Sequence, residues 1–331
     1  MEKVYLLPRT PRYKANLHCH TTLSDGRLSP EEIKSAYKRR GYSVVAFTDH
    51  EYIVNHQDMN DEAFIAVTAY EYSINESYPG EKRTFNDIKC CHLNLYAKDP
   101  FEDKHVCFSP KYVWGPGSKV ADKLKYSGEL HDRSYDNIQE IIDAANANGY
   151  LVCFNHPYWS LQPQKDYFDL TGLFAMEVYN SGCGIISGNS WYDYGLFCET
   201  HPDAAPVAAD DNHNPNGDVE NSDSFGGYTM LCTDDFTYKG IINALESRSF
   251  YASTGIEFSE ISLCDGKVHV ECSECTDIMA YFGGRRWTRS SSSEGITKAD
   301  FSVPADAKYI RIFCVDKRNG SMATTKPYTV D

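Results

Sequence analysis

Several features that mark other protein classes are missing from this 331-residue sequence. No apolar run approaches the roughly 20 residues that a membrane-spanning helix needs, which argues against an integral membrane protein. The N-terminal segment MEKVYLLPRTPRYK has only a short apolar patch and no small-residue cleavage site, so we expect no signal peptide. A cytoplasmic protein is therefore the default expectation.

Basic clusters are lacking as well. The formal net charge is −15, with 32 Lys and Arg against 47 Asp and Glu. Proteins that bind nucleic acid through its phosphates usually present a basic face, so we do not expect a long nucleic acid as a partner. Bound divalent cations would create a positive focus at one place in an otherwise acidic protein. That arrangement suits a small anionic substrate.

The cysteines do not indicate a secreted disulfide scaffold. All twelve are scattered along a long chain without a secretion signal, so most should be buried reduced thiols. Cys272 and Cys275 form a lone CxxC in ECSEC. Without a second pair or nearby histidines, we interpret them as thiols within or beside a strand rather than as a zinc or redox site.

The first half of the chain alternates predicted strands with predicted helices. The predicted strands are ANLHCHT, SVVAFTDH, FIAVTAYEYS, HLNLYA, LVCFNHP, LFAMEVYN and PVAADDNHN. One helix begins at SPEEI, with Ser29 as N-cap and Glu32 completing a capping box, and stops at Gly41. Others are expected over IQEIIDAANANGY and at about 188–199. This alternation predicts an α/β fold with parallel strands, whose active site lies at the C-terminal ends of the strands.

Two regions depart from the alternation. Residues 98–135 are rich in Pro, Gly and aromatics, and so long a connection is usually functional; a lid over the site and a plain surface insertion both remain open. After about residue 255 the pattern changes to short strands with hairpin turns at Asp265-Gly266 and Asn319-Gly320. We predict a domain at 1–255 and a small antiparallel β appendix at 256–331. The SSSS run at 290–293 is interpreted as a polar loop.

The stretch NLHCHTTLSDG, residues 16–26, raises the possibility of a metal site. His18 and His20 are two apart in a predicted strand, so both side chains can reach one ion. Asp25 adds an oxygen ligand on the loop that follows. Taken alone, an HxH pair is weak evidence for a metal.

Further potential ligands recur where apolar runs end or begin. They are His50 in TDH, Glu71, His92, His156 in NHP, and Asp211 and His213 in DDNHN. With the first three they make six histidines and three carboxylates, more than the four or five that one zinc-type ion uses. Such mixed ligands without Cys suit Mn, Fe or Zn. The other five histidines, which we expect on the surface or in the lid, are His56, His105, His131, His201 and His269.

This ordered set of motifs resembles the PHP superfamily, named for polymerase and histidinol phosphatase, over about residues 13–255. The resemblance implies a distorted (β/α)7 barrel, followed by a small β domain as in some bacterial members, and a trinuclear centre of divalent Mn, Fe or Zn. It implies one ion on His18, His20, Glu71 and Asp211. It implies a second on Glu71, His92 and His156, and a third on Asp25, His50 and His213.

The resemblance also implies hydrolysis of a phosphate ester by a metal-bound hydroxide. Two neighbouring ions can stabilise the attacking and leaving oxygens, and a third can neutralise the remaining phosphate oxygens. Asp49 and Asp210 are candidate helpers at the leaving group, although a carboxylate beside a ligand more often orients a histidine. The basic residues that could contact a phosphate, or else be solvated loop residues, are Arg27, Lys82 and Arg83.

We therefore predict a metal-dependent phosphatase acting on a small phosphomonoester such as a sugar phosphate or a nucleotide. The enzymatic alternative is a phosphodiesterase or short-oligonucleotide exonuclease that uses the same centre. The alternative from another class is a non-catalytic PHP module that binds metal or a ligand. The physiological substrate, the native metal and the oligomeric state stay open at this stage.

Overall fold

The computed structural model describes residues 3–77 and 84–330. The strands in these ranges are β1 (Val4–Tyr5), β2 (Arg12–Asn16), β3 (Tyr42–Phe47), β4 (Ile65–Asn75), β5 (Cys90–Ala97), β6 (Lys104–His105), β7 (Lys125–Tyr126), β8 (Tyr150–Phe154), β9 (Ala175–Asn180), β10 (Ala205–Ala209), β11 (Tyr228–Cys232), β12 (Phe250–Ser253), β13 (Phe258–Cys264), β14 (Lys267–Tyr281), β15 (Trp287–Ser302), β16 (Tyr309–Asp316), β17 (Ser321–Thr325) and β18 (Tyr328–Thr329). The α-helices are α1 (Pro30–Arg39), α2 (Ile138–Ala147), α3 (Gly184–Ser187), α4 (Trp191–Phe197) and α5 (Tyr238–Glu246). Single 3₁₀ turns lie at Gln57–Met59, Phe85–Asp87, Pro110–Tyr112, Gly115–Lys119, Ala121–Lys123, Tyr135–Asn137 and Gln164–Asp166.

Eight strands of the first part form a curved sheet in the order β11-β2-β3-β4-β5-β8-β9-β10. Its two end strands meet through a side chain: Thr229 Oγ1 on β11 accepts from the Ala208 N–H (3.2 Å) and donates to the Ala208 carbonyl (3.0 Å) on β10. The sheet therefore curls back on itself like a barrel. Together with the antiparallel strands that follow, this confirms the predicted α/β class with a C-terminal β part.

Not all strands of this sheet run in the expected direction: β11 pairs antiparallel with β2, and β5 is reversed inside the sheet. β2, β3 and β4 pair in parallel, and so do β8, β9 and β10. β5 lies antiparallel between β4 and β8, so the expectation of parallel pairing throughout was wrong here. The reversal has a consequence for the site, because the N-terminal end of β5 lies at the edge where its neighbours have their C-terminal ends.

Helix α1 follows from its local sequence. Ser29 Oγ accepts the Glu32 N–H (3.3 Å), and Glu32 Oε2 accepts the Ser29 N–H (2.8 Å), which confirms the predicted capping box. Ile33 and Tyr37 lie on the face that is buried against the sheet. The helix ends before Gly41, whose φ of 77° is in the left-handed region that favours glycine.

The C-terminal strands β13 to β18 are antiparallel and continue the first sheet through the pairing of β17 with β12. β13 and β14 form a hairpin whose two turn residues, Asp265 and Gly266, have positive φ, as predicted for a DG turn. The SSSS run was wrongly interpreted as a loop: it lies in β15, which pairs with β14 on one side. In a strand with one face exposed to solvent, the outward-pointing side chains can be small and polar while the inward-pointing ones stay buried.

The predicted insertion at 98–135 consists of short 3₁₀ turns and the two-residue strands β6 and β7, which pair with each other. Phe108, Val113 and Ala121 form a small apolar cluster of their own inside it. A buried ion pair joins its C-terminal end to the sheet: Arg133 binds both carboxylate oxygens of Glu51, at 2.5 and 2.6 Å.

None of the helices in the described ranges combines the length and apolar character needed to cross a bilayer. All twelve cysteines are free thiols, and ten of them are buried. This agrees with the predicted reduced state. Cys272 and Cys275 lie in β14, and Cys314 of β16 brings a third thiol within 4.8 Å of both.

Candidate metal centre

The strand edge collects all nine predicted ligands. His18 and His20 follow β2, His50 follows β3, and His156 follows β8. Glu71 lies within β4, and His92 lies at the start of the reversed strand β5. Asp25, Asp211 and His213 come from the loops after β2 and β10. Ligands from distant parts of the chain thus meet at one edge of the sheet, as expected for the carboxyl ends of strands.

Glu71 is the centre of this group. Its carboxylate is buried and lies within 3.4 Å of nitrogen atoms from five different histidines. These distances are 3.2 Å to His18, 3.4 Å to His20, 3.0 Å to His50, 3.1 Å to His92 and 3.3 Å to His156. A single carboxylate cannot neutralise five charged imidazoles, so this convergence is not explained by ion pairing alone.

Asp211 is a second carboxylate of this group and contacts two of the same histidines. Its Oδ1 lies 3.1 Å from His18 Nε2 and 2.9 Å from His20 Nε2, and those two nitrogens are themselves 3.2 Å apart. Potential ligand atoms of His18, His20, Glu71 and Asp211 all lie within 4.8 Å of one another. This is the set expected for the first ion.

The other two expected sets also come together. Ligand atoms of Glu71, His92 and His156 lie within 4.8 Å of one another. A separate group unites Asp25, His50 and His213 with His20, with Asp25 Oδ2 at 3.3 Å from His213 Nε2. Glu71 belongs to the first set and the second, and His20 reaches toward the third as well as the first. The ligand roles themselves stay a prediction.

The donor set passes a geometric test for bound ions. Two ligand atoms each about 2.1 Å from one ion, at tetrahedral to octahedral angles, are about 3.0–3.4 Å apart. The separations of His18, His20 and Asp211 atoms, 2.9 to 3.2 Å, are close to that edge length. Imidazole and carboxylate donors without thiolate suit Mn, Fe and Zn. The residues therefore fit divalent cations.

The backbone is bent into uncommon conformations at two predicted ligands. His156 and Asp211 have φ values of 22° and 51°, in a region that non-glycine residues rarely adopt. Gly26, in the SDG turn, is required for a different reason: a Cβ at this position would lie 2.5 Å from the His20 carbonyl oxygen. Backbone strain of this kind is concentrated at functional sites.

A further carboxylate, Glu177 on β9, was not predicted as part of the centre. Its Oε1 lies 3.0 Å from His18 Nδ1, and its Oε2 accepts the N–H of His156 (3.1 Å). The Oε1 oxygen of this carboxylate is placed to accept a hydrogen bond from Nδ1 of His18. Nε2 of His18 faces Glu71 and Asp211. Burial lowers the pKa of His18, but the charges of these two carboxylates outweigh it and hold the pKa well above its usual value. With a metal ion bound, Nε2 would be the ligating atom. Asn180 donates to both Glu177 (2.9 Å) and Asp211 (3.0 Å).

The electrostatics of the site favour added positive charge. Burial lowers the pKa of His20, but hydrogen bonds and charge interactions with Asp211 and Glu71 outweigh it and raise the pKa to about 10. Burial raises the pKa of Glu71, but the surrounding histidines outweigh it and hold the pKa well below its usual range. Burial and the charge of His20 lower the pKa of His50 to about 3, despite the nearby carboxylates of Glu71 and Asp25. The carboxylates thus need cationic partners, whether protons or metal ions.

A cavity of about 400 Å³ opens onto the cluster. Beside the ligands it is lined by Ser73, Asn75, Trp114 and Trp159. Trp114 comes from the 98–135 insertion, and its ring centroid lies 5.0 Å from that of His50. The insertion therefore supplies part of the wall, as expected of a lid, although nothing in the sequence singled out Trp114.

The two predicted helper carboxylates do not line this cavity. Asp49 accepts from the Thr21 hydroxyl (2.8 Å) and the Ser24 hydroxyl (2.7 Å), so it shapes the loop between His20 and Asp25. Asp210 accepts from the Tyr37 hydroxyl (2.8 Å), from the Ser181 hydroxyl (2.7 Å) and from backbone N–H groups of residues 225–227. Their oxygens are occupied in holding loops, and the helper role at a leaving group stays a prediction.

The predicted substrate contacts receive little support. Arg27 is exposed, does not line the cavity, and donates its backbone N–H to the His213 carbonyl (2.9 Å). Lys82 and Arg83 lie outside the described residues. Among the remaining histidines, His56 is buried against the Phe47 ring at 4.7 Å rather than on the surface.

No family model matches this chain, and no curated protein matches it. Solved structures do show similarity. A two-domain protein from Bacteroides vulgatus, containing a predicted PHP-like metal-dependent phosphoesterase, is 13% identical and covers 97% of this chain and 96% of its own, with a TM-score of 0.46. A candidate metal-dependent phosphoesterase from Bifidobacterium adolescentis is 15% identical, covers 61% and 88%, and has a TM-score of 0.37.

An amidohydrolase from Chromobacterium violaceum, solved with bound sulfate and no metal, is also similar. It is 15% identical and covers 60% of this chain and 87% of its own, with a TM-score of 0.40. All three TM-scores lie below 0.5, so these similarities assign no chemistry to this centre.

Proposed function

We propose that this protein is a metal-dependent phosphoesterase of the PHP type, with a trinuclear centre that hydrolyses a small phosphomonoester. The observation that carries the proposal is the position of Glu71, whose buried carboxylate faces five histidine nitrogens within 3.4 Å. A carboxylate placed in this way can bridge two cations, which a site for one structural ion would not need.

Divalent ions bound here would act as Lewis acids toward a phosphate group and lower the pKa of a coordinated water. The protein residues prepare the site for that role. His18, His20, Glu71 and Asp211 would hold one ion, and Glu71 would share a second with His92 and His156. Glu177 would accept from the His18 nitrogen that faces away from the other ligands and so orient Nε2 toward an ion. Ser160, whose hydroxyl lies 3.1 Å from His156 Nδ1, can orient that ring in a similar way.

The third predicted set lies at the opening of the cavity. Asp25 and His213 are about one-third exposed, whereas His18, Glu71 and His156 are almost fully buried. An ion held by Asp25, His50 and His213 could therefore be reached by a ligand from solvent. We assign this position to contact with the phosphate oxygens of the substrate.

The cavity supports a small substrate. Its volume of about 400 Å³ is toward the lower end of the range of ligand pockets. Among the residues that the structure describes, no Lys or Arg lines it. The negative charge of a phosphate would then be balanced by cations rather than by side chains. The rings of Trp114 and Trp159 offer an apolar surface for the rest of a sugar phosphate or a nucleotide.

The proposal is tested by metal analysis together with turnover of p-nitrophenyl phosphate and bis(p-nitrophenyl) phosphate in the presence of Mn²⁺. We expect close to three ions per chain and faster turnover of the monoester. His18→Ala and Asp211→Ala should each abolish activity and reduce the metal content while leaving the circular dichroism spectrum largely unchanged. His269→Ala, which removes a histidine of the C-terminal strands, is the matched control and should retain both.

Two outcomes favour the alternatives. Clear preference for the diester would replace the monoesterase with a phosphodiesterase or short-oligonucleotide exonuclease at the same centre. Metal content near zero, with no activity after addition of Mn²⁺, Fe²⁺ or Zn²⁺, would exclude the enzyme and leave a non-catalytic binding module. Full activity of His18→Ala would show that the ligand assignment is wrong.

A further inference from the structure

A second cavity lies between helix α4 and the C-terminal strands. Its volume is about 500 Å³, within the range of pockets that bind small molecules. None of the nine predicted metal ligands lines it. The wall is mainly aromatic, and its rings belong to Trp191, Tyr192, Tyr281, Tyr309 and Phe313.

Arg311 lines this cavity and carries a charge without a counterion. It is only 6% exposed. Its Nη1 donates to Thr324 Oγ1 (3.1 Å), whereas its Nε has no hydrogen-bond partner, and no carboxylate of the described residues lies within 4.0 Å of its guanidinium group. Its guanidinium lies 4.6 Å from the Tyr281 ring centroid. Arginines this deeply buried are rarely left without an anionic partner, because desolvation of the charge is costly.

Trp191 lies on the same cavity wall as Arg311. Its side chain is 7% exposed, lines the same cavity, and has an indole N–H without a hydrogen-bond partner. A buried indole N–H normally finds an acceptor. Both unpartnered nitrogens, Arg311 Nε and Trp191 Nε1, are themselves enclosed by protein, so a ligand in the cavity would meet the guanidinium at Nη2, which faces the cavity residue Gly195.

The carboxylate on the wall does not balance Arg311. Glu199 accepts from the Tyr309 hydroxyl (2.7 Å) and from the Gly284 N–H (2.8 Å), and Lys308 Nζ lies 3.5 Å from its other oxygen. Its negative charge is thus already offset by neighbouring donors and by a lysine. The positive charge of Arg311 remains available to a ligand.

We propose that this cavity is a binding site for a small organic anion with a flat aromatic body. The acidic group of the ligand pairs with the Arg311 guanidinium, and its body packs against the aromatic rings of the wall, with the Tyr281 ring beside the ion pair. The planar guanidinium of an arginine can donate two parallel hydrogen bonds to an acidic group, and neighbouring aromatic rings can stack on the flat body of the ligand. The site is separate from the metal centre and does not depend on the proposed function.

The probe is 1-anilinonaphthalene-8-sulfonate, with N-phenyl-1-naphthylamine as its analogue without the sulfonate. Fluorescence titration and calorimetry of the full-length protein should show one sulfonate probe bound per chain, at least tenfold more tightly than the neutral analogue. Equal binding of the two compounds, or no saturable one-to-one binding, would overturn the proposal.

Substitutions test whether the sulfonate probe binds at Arg311. Arg311→Gln should weaken the sulfonate probe at least tenfold while changing the neutral analogue less than twofold, because only the ion pair is lost. Arg285→Gln removes a positive charge from an exposed residue next to Gly284 and is the matched control, with less than a twofold effect expected. If both variants weaken the probe equally, long-range charge explains the binding and the site is wrong.

Gly195→Leu provides an independent test if Arg311→Gln fails to fold. Gly195 lines the cavity within α4, and a Cβ there would contact only Arg311 Nη2, at 3.4 Å. Leucine is a better helix former than glycine, so α4 should form while the added side chain fills the cavity. We expect loss of one-to-one probe binding with an unchanged circular dichroism spectrum. Unchanged probe affinity would overturn the proposal.

Competition with the bound sulfonate probe tests which acidic group the natural ligand carries. Added 1-naphthoate and 1-naphthylphosphonate compare a carboxylate with a phosphonate on the same ring. Displacement of the bound sulfonate probe by at least one of them is expected, and the stronger competitor identifies the head group. Failure of both would overturn the assignment to organic anions.

Discussion

Removal of the Arg133 guanidinium tests how the insertion at 98–135 is attached to the sheet. Arg133 and Glu51 side chains are only 4% and 3% exposed, and both guanidinium–carboxylate contacts are short, at 2.5 and 2.6 Å. Arg133 also donates to the Ser73 carbonyl (2.9 Å) and stacks on Tyr72 at 3.6 Å. Removing one partner of such a buried pair leaves the other charge uncompensated, and measured losses are about 3–5 kcal/mol.

We therefore expect Arg133→Met to lower the free energy of unfolding by about 3–5 kcal/mol, measured by urea denaturation monitored by circular dichroism. The double variant with Glu51→Gln should be more stable than Arg133→Met alone by at least about 1 kcal/mol, because it removes the unpaired carboxylate. Ser73 can still donate its N–H to the glutamine oxygen in place of Glu51 Oε1, to which it now donates at 2.7 Å.

The matched control is Arg40→Met. Arg40 forms an ion pair with Glu220 in which both side chains are exposed, at 51% and 42%, so its removal should change stability by less than about 1 kcal/mol. A loss below about 1 kcal/mol for Arg133→Met, or strictly additive effects of Arg133→Met and Glu51→Gln, would refute the view that this pair anchors the insertion.

Three further predictions concern the site and its support. Glu177→Gln should weaken metal binding about 10–100-fold while the fold persists, since it disturbs the orientation of His18; metal titration checks this, and unchanged affinity would contradict the role. Trp114→Ala should raise KM for p-nitrophenyl phosphate more than it lowers kcat if the insertion covers substrate, and a change in kcat alone would argue for a different role. Ser29→Ala should lower the free energy of unfolding by about 1 kcal/mol, through loss of the α1 cap, with activity retained; an unchanged urea midpoint would speak against the cap.

Local signals in the sequence were sufficient for helix α1 and for the Asp265-Gly266 hairpin. A capping box and a DG turn each act over a few residues, so long-range packing has little opportunity to override them. The direction of β5 depends instead on its neighbours, which are distant in sequence. The alternating pattern of strands and helices predicted parallel pairing, but the segment between β4 and β5 contains no crossover α-helix among its described residues, and the strand returns antiparallel.

The position of His92 in the sequence could have predicted the direction of β5. Predicted ligands on the parallel strands lie within them or follow them, as His50 and His156 do, whereas His92 is near the beginning of its apolar run. In a parallel strand, that position would be at the opposite edge of the sheet, about 20 Å away for a strand of this length. A metal set that includes His92 therefore required β5 to be reversed, and the ligand hypothesis could have predicted the topology.

The same reasoning explains why Glu177 was missed and how it could have been found. Glu71 and Glu177 both alternate with large apolar residues, in the sequences YEY and MEV, and the flanking residues of both belong to one outer core cluster. Successive side chains of a strand point to opposite faces, so both carboxylates must face the inside of the curved sheet. An ionised carboxylate buried there needs cationic or hydrogen-bonding partners. The alternation of side chains along the strand thus makes Glu177 as strong a candidate for the centre as Glu71. Its contact with His18 indicates that it orients this histidine.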